Sequence, residues 1–230
     1  MSENSCRPLA PPRLRCYSLG MTEDKKTLRR RMAGMLLQLS GEERRAASSA
    51  ACRSFVQSPL FAQSDAILCY MAAEQEISPE EIMHAAAAAG KSLAVPLCIP
   101  HTNRLRFLCV DAAASGERWE RQFVRGAWGL LEPDAAQCPP FSAASFAGKS
   151  VCVLVPGVAF SAAGLRLGHG KGYYDSFLAE LCAEASSCGF SVQLVGMCFS
   201  CQLLPSVPAE AHDVPVQFLL TEQGLSSCTR

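Results

Sequence analysis

Residues 149–178 read KSVCVLVPGVAFSAAGLRLGHGKGYYDSFL, and their order decides the fold. Residues 149–160 are apolar almost throughout, the pattern of a central parallel strand covered on both faces. Residues 173–187, YYDSFLAELCAEASS, read as a helix. Between the two lie Gly164, Gly168, Gly170 and Gly172, interleaved with Arg166, Leu167, His169 and Lys171 and followed by Tyr173, Tyr174 and Asp175. A strand, a glycine segment and a helix in that order put the segment at the carboxyl end of a sheet, where open α/β folds bind ligands. Glycines let backbone amides approach a ligand closely. Amides at a helix N-terminus seat an anion. Arg166 adds a planar charged fork and Lys171 a point charge. The segment is not a Walker A loop, which needs a Gly-Lys-Ser/Thr ending: Gly172 follows Lys171 and position 165 is Leu. Nor is it the dinucleotide fingerprint, because the third glycine follows the second by two residues instead of three. The alternative is a plain turn, which has no use for so many charged and aromatic side chains.

Outward from this stretch, strands and helices alternate. Residues 65–72 (DAILCYMA) and 91–98 (KSLAVPLC) read as strands. Between them 78–90 reads as a helix, with Ser78 as cap, Pro79 at its first position, Glu81 completing a capping box and Gly90 as stop. That is a strand–helix–strand crossover of parallel type. Further strands are expected at 103–111, 191–199 and 214–222, and residues 112–149 look like loop. Two helices precede these elements. Residues 24–39 align Leu28, Met32, Met35, Leu36 and Leu39 on one stripe, and the next helix opens on a Ser40/Glu43 capping box. The first helix begins with Lys25, Lys26, Arg29, Arg30 and Arg31, and cations there oppose the helix dipole. Either they are merely an exposed basic face or an anion waits for them. The expected fold is α/β: a layered, mostly parallel sheet flanked by helices, one domain over residues 21–230. Residues 1–20, rich in Pro and Arg, are expected to be a disordered extension, with an organelle-targeting leader as the alternative.

Composition bounds the function. Lys+Arg and Asp+Glu number 21 each, so the balanced charge argues against coating nucleic acid or an anionic membrane. No apolar run has the length of a membrane span. The 13 cysteines are odd in number and many sit inside apolar runs, as core hydrophobes of a reducing compartment do. A cytoplasmic chain, acting as a monomer, is expected. The single CxxC, Cys198 to Cys201, is either a redox pair or two ordinary thiols at a strand end.

The stretch LVPGVAFSAAGLRLGHGKGYYDSFL (154–178) resembles the signature of the 5-formyltetrahydrofolate cyclo-ligase family. KKTLR (25–29), YMAAEQEIS (70–78), WGLLEP (128–133) and VPAEAHDVPVQFLLTE (207–222) resemble further blocks of that family in the same order. The resemblance implies cyclisation of 5-formyltetrahydrofolate to 5,10-methenyltetrahydrofolate with Mg2+ and ATP, releasing ADP and phosphate. It implies an ATP site made of Lys25, Lys26, Thr27, Leu28, Arg29 and the run Arg166, Leu167, Gly168, His169, Gly170, Lys171, Gly172, Tyr173 and Tyr174, with Lys171 and Arg166 catalytic. It implies a folate site of Met71, Glu76, Trp128, His169, Gly170, Lys171, Gly172 and Tyr173, and a magnesium site of Asp175 and Asp213. Residue by residue there are plainer readings: Asp175 a helix-start residue, Asp213 a turn residue, Glu74 a rival to Glu76, Trp128 part of a core. His169 stands where the family usually has Tyr, Phe or Arg. Two rivals of other classes are an α/β sugar-phosphate isomerase or acyl-CoA transferase, which needs no ATP, and a folate- or nucleotide-binding protein without catalysis.

Overall fold

The computed structural model describes residues 23–99, 102–111, 114, 116–126 and 129–229. The 1–20 extension and Trp128 lie outside the described residues. The helices are α1 (Lys25–Leu36), α2 (Gly41–Val56), α3 (Pro59–Gln63), α4 (Glu80–Ala88), α5 (Glu117–Glu120) and α6 (Tyr173–Cys188). The strands are β1 (Ala66–Leu68), β2 (Ser92–Cys98), β3 (Leu105–Val110), β4 (Phe123–Arg125), β5 (Leu131–Pro133), β6 (Ser150–Pro156), β7 (Ala159–Ser161), β8 (Arg166–Leu167), β9 (Ser191–Met197), β10 (Leu203–Leu204), β11 (Phe218–Thr221) and β12 (Gly224–Ser227).

One seven-stranded sheet in the order β12-β11-β9-β6-β1-β2-β3 runs through the molecule. Its five inner strands are parallel, and an antiparallel strand closes each edge, β3 against β2 and β12 against β11. β6 lies at the centre because every side chain it turns either way meets apolar atoms. Cys152 and Leu154 join the core under α2 and α4, with Phe55, Ile67 and Ile82, while Val151, Val153 and Val155 join the core under α6, with Leu178, Leu181 and Leu194. The alternation is the period of two that a strand dictates.

The chain departs from the sequence expectations where it leaves this sheet. The strand expected at 65–72 stops at Leu68, and residues 69–76 turn into a loop in which the Ala73 amide donates to the Glu76 carboxylate at 2.9 Å. The strand expected at 149–160 breaks at Pro156, which has no amide to donate, and at Gly157. It resumes as β7 in a second, three-stranded sheet ordered β10-β7-β8. The glycine segment therefore begins inside the β7–β8 hairpin and does not follow the central strand directly. Residues 112–149 are not all loop: α5, the hairpin β4–β5 and a turn of 3-10 helix at Ala143–Phe146 form there, each too short to leave a periodic signal. Helix α4 is capped one residue later than expected, at Pro79 and without a side-chain cap, and the Ser78 hydroxyl accepts only from the Glu80 amide. The α2 capping box of Ser40 and Glu43 forms as expected.

A third, small core joins α1 to the second sheet. Leu28 and Met32 pack with Val158, Ala159, Leu167, Leu204 and Val207. Burying each of those two side chains contributes about 1.5–3 kcal/mol. That exceeds the roughly 0.3–1 kcal/mol that an exposed cation costs at a helix N-terminus. Asp24 further offsets the misplaced charge, capping α1 by accepting from the amides of Lys26 and Thr27. The two sheets meet at Phe160, which is fully buried; a Cβ at Gly196 would stand 2.4 Å from its ring and one at Gly157 2.7 Å. Phe160→Ala is expected to destabilise the protein by about 3–5 kcal/mol, read as a lower urea midpoint at unchanged slope. A shift near zero would mean that this junction is not part of the cooperative core.

Candidate active site

A cavity of about 830 Å³ opens at the carboxyl ends of β1, β2 and β6. One end is cationic. Lys25 and Arg29 reach it from α1, one turn apart, and Arg166 and Lys171 reach it from the glycine segment. Arg29 Nε donates to the Gly168 carbonyl at 2.8 Å, across 139 positions of sequence. Gly170, at φ +98°, leaves the space that the Arg29 guanidinium fills: a Cβ there would stand 3.1 Å from its central carbon. The small core under α1 thus decides where these two cations point.

Arg166 is the most buried of the four, its side chain 4% exposed. One nitrogen meets Asp175 Oδ1 at 2.6 Å, another donates to the Pro156 carbonyl at 3.4 Å, and the guanidinium lies 5.8 Å from the Tyr174 ring centre. Its Nε has no partner. Among the described residues only one other buried side-chain N or O shares that condition, the Tyr174 hydroxyl. Both residues line the cavity. Burial pushes the Tyr174 hydroxyl well above its ordinary value, so it remains a neutral donor. Two unmatched donors in one cavity are groups that a bound ligand's oxygens can satisfy.

Lys25 meets Asp213 and Glu210 at 3.0 Å each. Burial alone would raise the Asp213 carboxyl. The Glu210 amide and the Lys25 ammonium outweigh burial and hold Asp213 below its ordinary 3.8. Burial alone would lower Lys25; Asp213 and Glu210 outweigh it and raise Lys25 above 10.5. His212 also stands 3.5 Å from Glu210 and 3.7 Å from Asp213.

Met71, Glu76, Tyr173 and Tyr174 also line the cavity, with Tyr70. Glu74, the rival of Glu76, is exposed and does not line it. His169 Nε2 faces Glu76 Oε1 at 3.6 Å. Of the remaining residues expected at the site, Leu28 is buried in the α1 core, Leu167 belongs to that core while also lining the cavity, and Lys26 and Thr27 serve the Asp24 cap. Asp175 and Asp213 both line the cavity, each already paired with a cation. Among the described residues no group of three or more His, Cys, Asp or Glu could hold a metal alone. Two carboxylates together with a ligand's phosphate oxygens are a donor set that magnesium accepts.

Sequence reasoning missed several lining residues: Glu210, His212, Pro96, Cys98, Leu105 and Glu132. Glu132, Glu210 and His212 stand inside blocks that carried the resemblance, and that was the available signal. The two CxxC thiols are unpaired, and burial raises both, Cys201 to about 11 and Cys198 further. That is opposite to a reactive thiolate.

The fold and the cavity define an α/β enzyme whose site combines cations, glycines and aromatic side chains. The sequence model of the 5-formyltetrahydrofolate cyclo-ligase family matches residues 21–222, and the chain belongs to that family. A Caenorhabditis elegans protein named "Probable 5-formyltetrahydrofolate cyclo-ligase" is 27% identical over 202 residues, covering 87% of this chain and 93% of that one. The mouse 5-formyltetrahydrofolate cyclo-ligase is 24% identical over 203 residues, covering 88% and 96%. Among solved structures, the 5,10-methenyltetrahydrofolate synthetase of Aquifex aeolicus superposes with a TM-score of 0.69 at 26% identity, over 90% of this chain and 93% of that one. The synthetase of Mycoplasma pneumoniae shares the fold, with a TM-score of 0.63 at 19% identity, over 87% and 99%.

The Lys25–Asp213 pair has a pH signature. A depressed carboxylate contributes stability that is present above its ordinary 3.8 and lost as pH falls through the lower folded value. Lys25→Met is therefore expected to lower stability by about 1 kcal/mol near neutral pH. The gap to the wild type should close as the medium becomes strongly acid. Thermal melting across that range checks it, and a gap independent of pH would assign the loss to packing.

Proposed function

We propose that the chain closes 5-formyltetrahydrofolate to 5,10-methenyltetrahydrofolate using ATP. The observation that carries this reading is the convergence of four cations, Lys25, Arg29, Arg166 and Lys171, from two distant parts of the chain onto one cavity that is also lined by Tyr70, Tyr173 and Tyr174. A triphosphate suits the first part and a flat ring system the second.

The chemical obstacle is the formyl group on N5, an amide whose oxygen leaves poorly. The γ-phosphoryl of ATP moves to that oxygen, ADP departs, and N10 of the same molecule attacks the activated carbon. The N10 proton is then lost, the carbon–oxygen bond breaks, phosphate leaves with the former formyl oxygen, and the ring closes as the methenyl cation. The second step is intramolecular, so the protein's work is positioning and charge stabilisation. Lys171 and Arg166 neutralise the migrating phosphoryl group, and Lys25 and Arg29 hold the rest of the triphosphate. Backbone amides at the start of α6 add donors to the same cavity. Asp175 and Asp213 are the residues that would hold Mg2+, which would shield charge on the phosphates when bound. Met71, Glu76 and Tyr173 contact the folate.

We place the enzyme in the cytoplasm: its described cysteines are unpaired, as a reducing compartment allows. No described helix is long and apolar enough to cross a membrane.

Purified protein given 5-formyltetrahydrofolate and Mg-ATP is expected to form the methenyl product, followed by its near-ultraviolet absorbance. Lys171→Ala should reduce kcat by about 10²–10³-fold, the size typical of removing one charge-stabilising group. Folded wild-type protein that binds ATP or folate but makes no product would overturn the assignment.

A further inference from the structure

The hairpin β4–β5 carries a carboxylate that the mechanism above leaves unused. Glu132 sits in β5 opposite Val124, and its side chain folds back across Gly126. A Cβ at Gly126 would stand 2.3 Å from the Glu132 carboxyl carbon and 2.4 Å from Oε2. Gly126 is not in the left-handed region, so its missing side chain serves space and not a turn. Cys98, the last residue of β2, stands beside the same carboxylate; burial, then Glu132, pushes its thiol up to about 12. At neutral pH Cys98 is therefore a neutral thiol that adds no charge beside Glu132.

Both residues line the cavity, where β2 and β5 are in contact. β2 lies two strands from β6 in the sheet, a separation of about 10 Å. The other walls here are apolar: Pro96, Leu105, Leu130 and Leu131. An apolar slot with one fixed carboxylate accepts a flat group that presents N–H donors and repels an anionic one. On the reading of the substrate proposed above, the choice between its two far ends is then decided. The glutamate tail is anionic. The pyrimidine edge presents a 2-amino group and an N3–H side by side, spaced for the two oxygens of a carboxylate.

We infer that Glu132 is a specificity-determining residue that binds the pyrimidine edge of the substrate, with Gly126 behind it and Cys98 beside it. The glutamate tail accordingly leaves by another side of the cavity. Glu76, which faces His169, is the competing carboxylate.

The test compares 5-formyltetrahydrofolate with the same compound lacking the 2-amino group, at saturating Mg-ATP, in the wild type, Glu132→Gln, Gly126→Ala and Glu76→Gln. The wild type is expected to prefer the parent compound by about 10- to 100-fold in kcat/KM, the size of a charge-assisted hydrogen bond. Glu132→Gln should lose most of that preference with the KM for ATP unchanged. Gly126→Ala, which keeps the carboxylate but displaces it, should lose it too. Thermal melting identifies any variant that fails to fold, and Gly126→Ala then carries the comparison. Undiminished preference in folded Glu132→Gln overturns the inference, as does a preference that only Glu76→Gln abolishes. A wild type that turns over both compounds equally overturns it while leaving the reaction intact. A wild type that turns over neither overturns the reaction as well.

Discussion

Arg166 has almost no water around it, and a guanidinium in that position must find its partners within the protein. It finds them in two elements outside its own strand. Asp175 belongs to the first turn of α6, the Pro156 carbonyl to the end of β6, and the Tyr174 ring to α6 again. The central sheet, the small sheet and the helix behind the glycine segment are therefore tied at one charged side chain. Nothing apolar could replace it without leaving the Asp175 carboxylate buried and unmatched, a loss of about 3–5 kcal/mol for a pair of this kind. The same residue keeps one unmatched nitrogen at the cavity. Structural order and chemical readiness are drawn from a single group.

Around that anchor the cations at the start of α1 lose their oddity. A helix beginning with Lys25, Lys26 and Arg29 is electrostatically upside down. The buried pair Leu28 and Met32 dictates which way the helix faces, and the charges follow at their fixed offset. Lys25 then meets Glu210 and Asp213, and Arg29 meets the Gly168 carbonyl. Local propensity and tertiary packing disagree here, and packing is the larger energy. Such disagreements are expected where a chain is shaped for a site.

Much of this was readable in the sequence, where a signal was local or periodic. β6 announced itself because its residues are apolar on both faces, and the α2 cap because Ser40 and Glu43 stand three apart. Leu28 and Met32 were visible as a stripe. The family signature then brought most of the cavity's residues together on paper. What could not be read depends on distance or on space. Asp213 approaches Lys25 from 188 positions away. The break at Pro156 depends on Phe160 filling the room beside Gly157 and Gly196. Strands of two or three residues, such as β8 and β5, are shorter than the windows in which alternation shows. Glu132 stands in the sequence without a local partner, because the bare Gly126 that receives it matters only once the hairpin has formed.

A run of glycines usually suggests slack, a tether that tightens only around its guest. In this chain two of those glycines are already spoken for. The space beside Gly168 is taken by the Arg166 guanidinium, and that beside Gly170 by Arg29. The loop is thus a mould whose hollows are filled from within by the protein's own arginines. A guest meets a surface cast in advance, and the disorder that a bare glycine tract would surrender on binding has largely been surrendered during folding.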